Sequence, residues 1–68
     1  MPLYNHLKEH RARIGVNQQE LGAMVGATRQ TISLIARGDY SPSITLAIKI
    51  ARVFGVPVEE VFSYEEDE

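Results

Sequence analysis

Glycines and helix-capping residues divide this chain into short segments, and this division limits the folds open to it. Each of four glycines follows a short stretch with apolar residues at helical spacing: Gly15, Gly26, Gly38 and Gly55. Side chains that cap helix N-termini begin three of the segments: Asn17, Thr28 and Ser43. Glycine is favoured just beyond a helix, and Asn, Thr and Ser accept hydrogen bonds from its first free amides. The pattern predicts an all-α domain, a bundle of about five short helices.

The N-terminal segment has two interpretations. Leu3, Leu7 and Ile14 recur at spacings of four and seven, which places them on one face of a first helix. Leu3 and Tyr4 could instead pair with residues 62–64 as two tiny terminal strands. Two strands alone would be marginal, so such a pair would need helices behind it.

The C-terminal half predicts two more helices. A fourth helix begins after Ser43, ends at Gly55 and packs an apolar face formed by Leu46, Ala47, Ile50, Ala51 and Phe54. Pro57 suits the first turn of a short fifth helix, because that position has no helical partner for an amide.

Size and composition exclude several classes of protein. The 68 residues include no cysteine, so we expect one small domain over residues 1–68, without disulfides or a thiolate metal site. Such a core is modest, and self-association would add to it. No apolar run approaches the roughly 20 residues of a membrane span, and the first ten residues lack a signal-peptide core. We therefore expect a soluble, cytoplasmic protein.

The net charge of −2 hides an asymmetry along the chain. Residues 1–52 carry all seven lysines and arginines against three acids, a net charge of +4. Residues 53–68 carry six acids and no base, and four of these acids form a tail at residues 65–68. This distribution favours a basic working surface with the acidic end directed elsewhere, although the tail could simply solvate the terminus.

The most informative segment is the junction between the second and third helices. Asn17 and Glu20 predict a capping box at the start of a helix over residues 18–25. A three-residue connection at 26–28 follows, and the apolar anchors on its two sides are Leu21, Val25, Ile32 and Ile35. Gly22 is small enough to let the helices approach closely. These features predict a helix-turn-helix unit, whose second helix can enter the major groove of DNA.

The third helix separates a polar face from an apolar face. At 100° per residue, Arg29, Ser33, Arg37, Gln30 and Leu34 follow one another within about 140°, whereas Ile32 and Ile35 lie on the opposite side. Arginine can read guanine, glutamine can read adenine, and serine can meet either base. Gln18 begins the second helix, where free amides favour a phosphate. We expect this polar face to read DNA.

A metal-binding enzyme is the main alternative chemistry. The segment HLKEH at residues 6–10 fits the H-x-x-E-H pattern of one class of zinc proteases. A working site would need a third ligand and a substrate cleft, which a chain this short can hardly supply. Helix geometry also places His6, Glu9 and His10 on a solvated side opposite Leu7 and Ile14. We therefore expect no catalytic residues, metal or cofactor.

The segment at residues 17–62, preceded by Gly15 and Val16, resembles the Cro and phage-repressor type of helix-turn-helix protein, the XRE family. The resemblance is carried by the ordered run NQQELGAMVGATRQTISLIARGDYSPSITLAIKIARVFGVPVEEVF. It implies a five-helix, lambda-repressor-like DNA-binding domain that regulates transcription, usually as a homodimer on a two-fold operator. The family's phosphate-anchoring glutamine corresponds to Gln18, and its base-reading positions correspond to Arg29, Gln30, Ser33 and Leu34. Thr28 and Thr31 occupy positions that often touch the backbone or a neighbouring base.

Two positions depart from the family pattern. The family commonly has a polar residue at Leu34 and, at Ala36, a glutamate that pairs with an arginine at the position of Arg11. Ala36 cannot accept that bond, so we expect Arg11 to turn toward solvent, Glu20 or a DNA phosphate. Leu34 could meet a thymine methyl group or contact a neighbouring helix or subunit.

These observations predict a repressor that binds operator DNA as a homodimer. Base reading is assigned to Arg29, Gln30, Ser33 and Leu34. Phosphate contacts are assigned to Gln18, Thr28, Thr31, Arg11, Arg13 and Arg37. The dimer surface is assigned to Val58, Phe62 and Tyr64, although Phe62 could equally pack in the core. The alternative is a protein-interaction module of antitoxin-like type that keeps the fold without reading DNA.

Overall fold

Five short helices and one pair of strands make up the computed structural model, which describes residues 3–64. In chain order the elements are β1 (Leu3–Asn5), α1 (Leu7–Ile14), α2 (Gln18–Val25), α3 (Arg29–Ala36), α4 (Ile44–Phe54), α5 (Val58–Val61) and β2 (Phe62–Tyr64). The predicted five-helix fold is confirmed. None of the helices within residues 3–64 is long and apolar enough to cross a membrane. The acidic tail at residues 65–68 lies outside the described residues.

The predicted N-caps are present. Asn17 Oδ1 accepts from the Glu20 amide at 2.7 Å and Glu20 Oε1 accepts from the Asn17 amide at 2.8 Å, which completes the capping box of α2. The Thr28 and Ser43 side chains each accept from the amide three residues ahead at 3.1 Å. Pro57 is the N-cap of α5, one position before the first turn where we expected it. Local chemistry therefore sets most helix boundaries.

The core lies where the five helices face one another, and each helix contributes a side chain that is fully or nearly fully buried. Its members are Leu7, Leu21, Val25, Ile32, Ile35, Ile50, Ala51, Phe54, Val61 and Phe62. Burial of these apolar surfaces is the main stabilising contribution to a domain without disulfides. The buried Ile32 and Ile35 anchor α3 and leave its opposite face for other contacts.

The terminal strands form an antiparallel pair, and Leu3 belongs to this pair rather than to α1. The register is Leu3 with Tyr64, Tyr4 with Ser63 and Asn5 with Phe62. The expected helical face containing Leu3 is therefore wrong, and the alternative of a strand pair is confirmed. Asn5 Oδ1 accepts from the Leu7 amide at 3.1 Å, so the helix begins only after Asn5.

Candidate nucleic-acid interface

The two helices of the predicted motif meet at a backbone contact. A Cβ atom built on Gly22 of α2 would lie 2.7 Å from the carbonyl oxygen of Ala27 and 3.2 Å from the carbonyl carbon of Thr28. Only a residue without a side chain lets the turn pass this close to α2. Gly26 begins the turn with φ +75°, in the left-handed region that glycine adopts readily. Both glycines therefore help to set the angle between α2 and α3.

α3 presents its polar side chains outward, as predicted. Arg29 and Gln30 are exposed and Ser33 is half-buried, whereas Ile32 and Ile35 are buried. Thr28 caps the helix, and its hydroxyl group donates to Thr31 Oγ1 at 3.1 Å. The two threonines therefore form one polar pair at the N-terminus of the helix.

Side chains from α2 and α3 line two neighbouring surface depressions. One depression is lined by Gln18, Arg29, Gln30 and Ser33. The other is lined by Arg11, Asn17, Gln18, Gln19 and Arg29. Gln18 and Arg29 line both, so the depressions form one continuous polar surface, which we call the α2–α3 surface. It brings together five of the predicted DNA-contact residues, three for bases and two for phosphates.

The α2–α3 surface also contains two residues that the sequence analysis did not select, Asn17 and Gln19. Asn17 was interpreted only as a helix cap, and Gln19 is an exposed amide on the first turn of α2. Their signal in the sequence is the run of three amide side chains at residues 17–19. Amide groups can donate to phosphate oxygens, so such a run at a helix N-terminus suits a backbone contact.

Arg11 does not bond to Glu20, whose Oε1 accepts from the Asn17 amide. Instead, Arg11 Nη1 donates to the carbonyl oxygen of Val16 at 3.3 Å. Arg11 Nε is buried and has no hydrogen-bond partner among the described residues. Arg11 is half-buried, so the expected turn toward solvent is only partial. Arg11 nevertheless lines part of the α2–α3 surface.

The other two predicted phosphate-contact arginines already have protein partners. The exposed Arg37 donates to Asp39 Oδ2 from Nη2 at 2.6 Å and from Nε at 3.1 Å. Arg13 Nη2 donates to the carbonyl oxygen of Phe54 at 2.8 Å, at the end of α4. Neither residue lines the α2–α3 surface. Exposed ion pairs are weak, so Arg37 can exchange Asp39 for another anion.

Leu34 lies between the polar face and the buried face of α3. It is half-buried, and it is not among the residues that pack against the core. Ala36 is half-buried and does pack against the core. The low polarity of this part of α3 therefore has two origins, one apolar residue near the surface and one small residue against the core.

His10 of the HLKEH segment takes part in packing. His10 is half-buried, contrary to the solvated position expected for it, and stacks on Phe54 with ring centroids 5.1 Å apart. His10 Nε2 donates to the Glu60 carbonyl at 3.0 Å, and Nδ1 accepts from Arg13 at 3.2 Å. Both ring nitrogens are thus occupied. Within residues 3–64, no three potential metal ligands lie together.

Comparison with known proteins identifies the family. A family model described as helix-turn-helix matches residues 7–61, which is most of the chain. The chain belongs to the XRE-type helix-turn-helix family. It is 51% identical over 63 residues to the HTH-type transcriptional regulator YgzD of Bacillus subtilis, covering 93% of this chain and 96% of the relative. It is 48% identical over 64 residues to an HTH-type transcriptional regulator of Methanocaldococcus jannaschii, covering 94% and 97%.

The fold of this XRE-type protein also occurs in a solved structure. A transcriptional regulator from Listeria innocua superposes with a TM-score of 0.70 at 17% identity, covering 96% of this chain. The chain spans 64% of the length of that structure. Membership of the family makes the protein a DNA-binding transcriptional regulator, a class that is not enzymatic.

Proposed function

We propose that this XRE-type regulator is a cytoplasmic repressor that binds a palindromic operator as a homodimer. The observation that carries the proposal is the α2–α3 surface, on which Gln18 adjoins Arg29, Gln30 and Ser33. A phosphate-binding group at the start of one helix and base-reading groups on the next are what a helix needs to lie in the major groove in a fixed register.

The exposed N-terminal half of α3 supplies the base contacts. Arg29 can donate two hydrogen bonds to the O6 and N7 atoms of guanine, and Gln30 can pair with the N6 and N7 atoms of adenine. Ser33 lies beside them and can donate or accept. Leu34 borders this group without packing into the core, which leaves its methyl groups able to contact a thymine methyl.

Phosphate contacts surround the base-reading group. Gln18 begins α2, where the first amides of the helix are free to bind an anion. Thr28 and Thr31 lie at the N-terminus of α3, and Arg11 lines part of the α2–α3 surface. Arg37 would contact phosphate in place of Asp39, and Arg13 would do so in addition to its Phe54 contact. Together these contacts would give affinity that depends on salt but not on sequence.

The dimer surface is proposed at the C-terminal end of the domain. Tyr64 is 56% exposed and Val58 is half-buried, so both can contact a second copy. Phe62 is the first residue of β2, is only 8% exposed and belongs to the core. The residues on the outer surface of this region therefore determine the contact, rather than Phe62.

Selection of binding sites from a random duplex pool tests the proposal. We expect an inverted repeat whose half-sites are about one helical turn apart, and sedimentation of the complex as two copies per site. Affinity for the selected site should fall on the order of 10³-fold between 50 and 200 mM salt if about six phosphates are contacted. No enrichment, together with no salt dependence, would favour the protein-interaction module.

Gln30→Ala gives the residue-level test. The loss of a bidentate contact should weaken binding to the selected site by about 1–3 kcal/mol and relax the preference at one base position. Thr45→Ala, on an exposed position of α4, is the control and should leave binding unchanged. An equal loss on all sequences would assign Gln30 to the phosphate contacts instead.

A further inference from the structure

The C-terminus of α3 is capped differently from the C-termini of α1, α2 and α4. Each of those three helices ends at a left-handed glycine, whose amide bonds back to the last turn. α3 instead passes into Arg37 in a right-handed conformation, before Gly38 at φ +83°. The amides of residues 37–39 bond to the carbonyl oxygens of Ser33, Ile35 and Leu34. These backbone bonds do not reach the carbonyl oxygen of Ala36.

Asn5 supplies the missing donor from the other end of the chain. Its Nδ2 donates to the carbonyl oxygen of Ile35 at 3.0 Å and to that of Ala36 at 3.2 Å. Its Oδ1 accepts from the amide of Leu7 at 3.1 Å. One side chain therefore joins the start of α1 to the end of α3. Unpaired carbonyl groups at a helix end need such a donor when they lie away from water.

The backbone around Asn5 is held in place. Asn5 pairs with Phe62 in the strand register, and the next amide, that of His6, donates to the carbonyl oxygen of Val61 at 2.8 Å. The Asn5 side chain is half-buried. The Asn5 side chain therefore joins the end of α3 to a segment whose backbone is itself hydrogen-bonded.

The packing at this junction leaves a gap. A small cavity of about 40 Å³ lies between the strand pair and the end of α3, lined in part by Leu3, Asn5, Ile35 and Gly38. No ion pair joins α1 to α3 in the described part of the chain, because Ala36 has no charge to offer Arg11. The Asn5 side chain therefore provides the polar contact between the start of α1 and the end of α3.

We propose that Asn5 is a positioning residue for base recognition, an inference that rests on the proposed function. Gly22 fixes the N-terminal end of α3 by its contact with the turn, and Asn5 fixes the C-terminal end. α3 is about 12 Å long, so movement of one end tilts the whole helix. Directional contacts to base edges tolerate only about 10–20° of misalignment, whereas phosphate contacts are less directional. Asn5 thus acts on specificity without touching DNA.

Asn5→Asp separates positioning from general stability. Aspartate is close to asparagine in size and can still accept from the Leu7 amide, but it places an anionic oxygen against the two carbonyl groups of α3. We expect about a tenfold loss of affinity for the selected operator, with affinity for random DNA changed less than about twofold. Amide exchange at Gly38 and Asp39 should quicken by about tenfold. Thr45→Ala, the exposed position of α4 already used as a control, should change none of these quantities.

The measurements are made at a temperature where unfolding curves show every variant to be folded. If Asn5→Asp is not folded at any usable temperature, Asn5→Ala replaces it, since alanine removes the donor without adding charge. Equal losses on operator and random DNA, or unchanged exchange at Gly38 and Asp39, would overturn the inference. If no site is enriched from the random duplex pool, the proposed function fails, and the exchange data alone then decide whether Asn5 holds α3.

Discussion

Gly22→Ala tests the contact that sets the angle between α2 and α3. The new Cβ would lie 2.7 Å from the carbonyl oxygen of Ala27, whereas ordinary contact begins at 3.4 Å, so the turn must move by about 0.7 Å. The opposing atoms are backbone atoms and cannot rotate away. Overpacking of this kind destabilises by up to about 3 kcal/mol, and the better helix propensity of alanine returns about 1 kcal/mol. We expect a net loss of about 2 kcal/mol, or about 8–16 °C in Tm for a domain of this size.

Thermal and urea unfolding followed by circular dichroism measure this loss. The matched control is Gly26→Ala, four residues later, where a Cβ meets nothing within 4 Å but the backbone φ is +75°. That variant should lose about 1–2 kcal/mol through backbone strain and keep its operator affinity while folded. Gly22→Ala should also bind operator more weakly while folded, since the turn is displaced. Unchanged or increased stability of Gly22→Ala would refute the close approach, because alanine would then contribute only its helix propensity.

Two further substitutions test the charges around the α2–α3 surface. Asp39→Asn frees Arg37 from an exposed ion pair and removes an acid, so operator affinity should rise a few-fold. The slope of log affinity against log salt concentration, which we call the salt slope, should steepen by up to about one in titrations at several salt concentrations. A shallower slope would contradict this. Arg11→Met keeps the half-buried aliphatic part of the side chain and removes the buried Nε that has no partner. The free energy of unfolding should therefore stay equal or rise by about 1 kcal/mol. The salt slope should fall by about one, because one phosphate contact is lost. A loss above about 1 kcal/mol would show that the Arg11 bond to Val16 is the larger effect.

The helices were predictable because their ends are determined locally. The capping box at Asn17 and Glu20 and the caps at Thr28 and Ser43 each involve residues three positions apart. Such signals can be identified in a sequence without knowledge of the fold. The exposed face of α3 followed from helical periodicity alone, since Ile32 and Ile35 must face the core.

The errors came from contacts that span the chain. Leu3 has the spacing of a helical residue, but its backbone pairs with Tyr64 at the other end of the described chain. His10 was expected on the solvated side of α1, but it is half-buried and its ring packs on Phe54 of α4. The contact of Asn5 with the end of α3 has no local signature, because an asparagine two residues before a helix is read as a cap for that helix alone. Only the assembled fold shows these partners.

The structure separates the parts that hold α3 from the parts that face outward. Gly22 holds one end of the helix, Asn5 holds the other, and Ile32 anchors the middle. None of these three residues lies on the α2–α3 surface. Within residues 3–64, no side-chain hydrogen bond or ion pair joins the exposed Arg29 or Gln30 to those anchors, so exchanging them should leave the orientation of the helix intact. It follows that the preferred operator can change through these positions with little change in stability, since substitutions on exposed positions usually shift stability by less than about 0.5 kcal/mol.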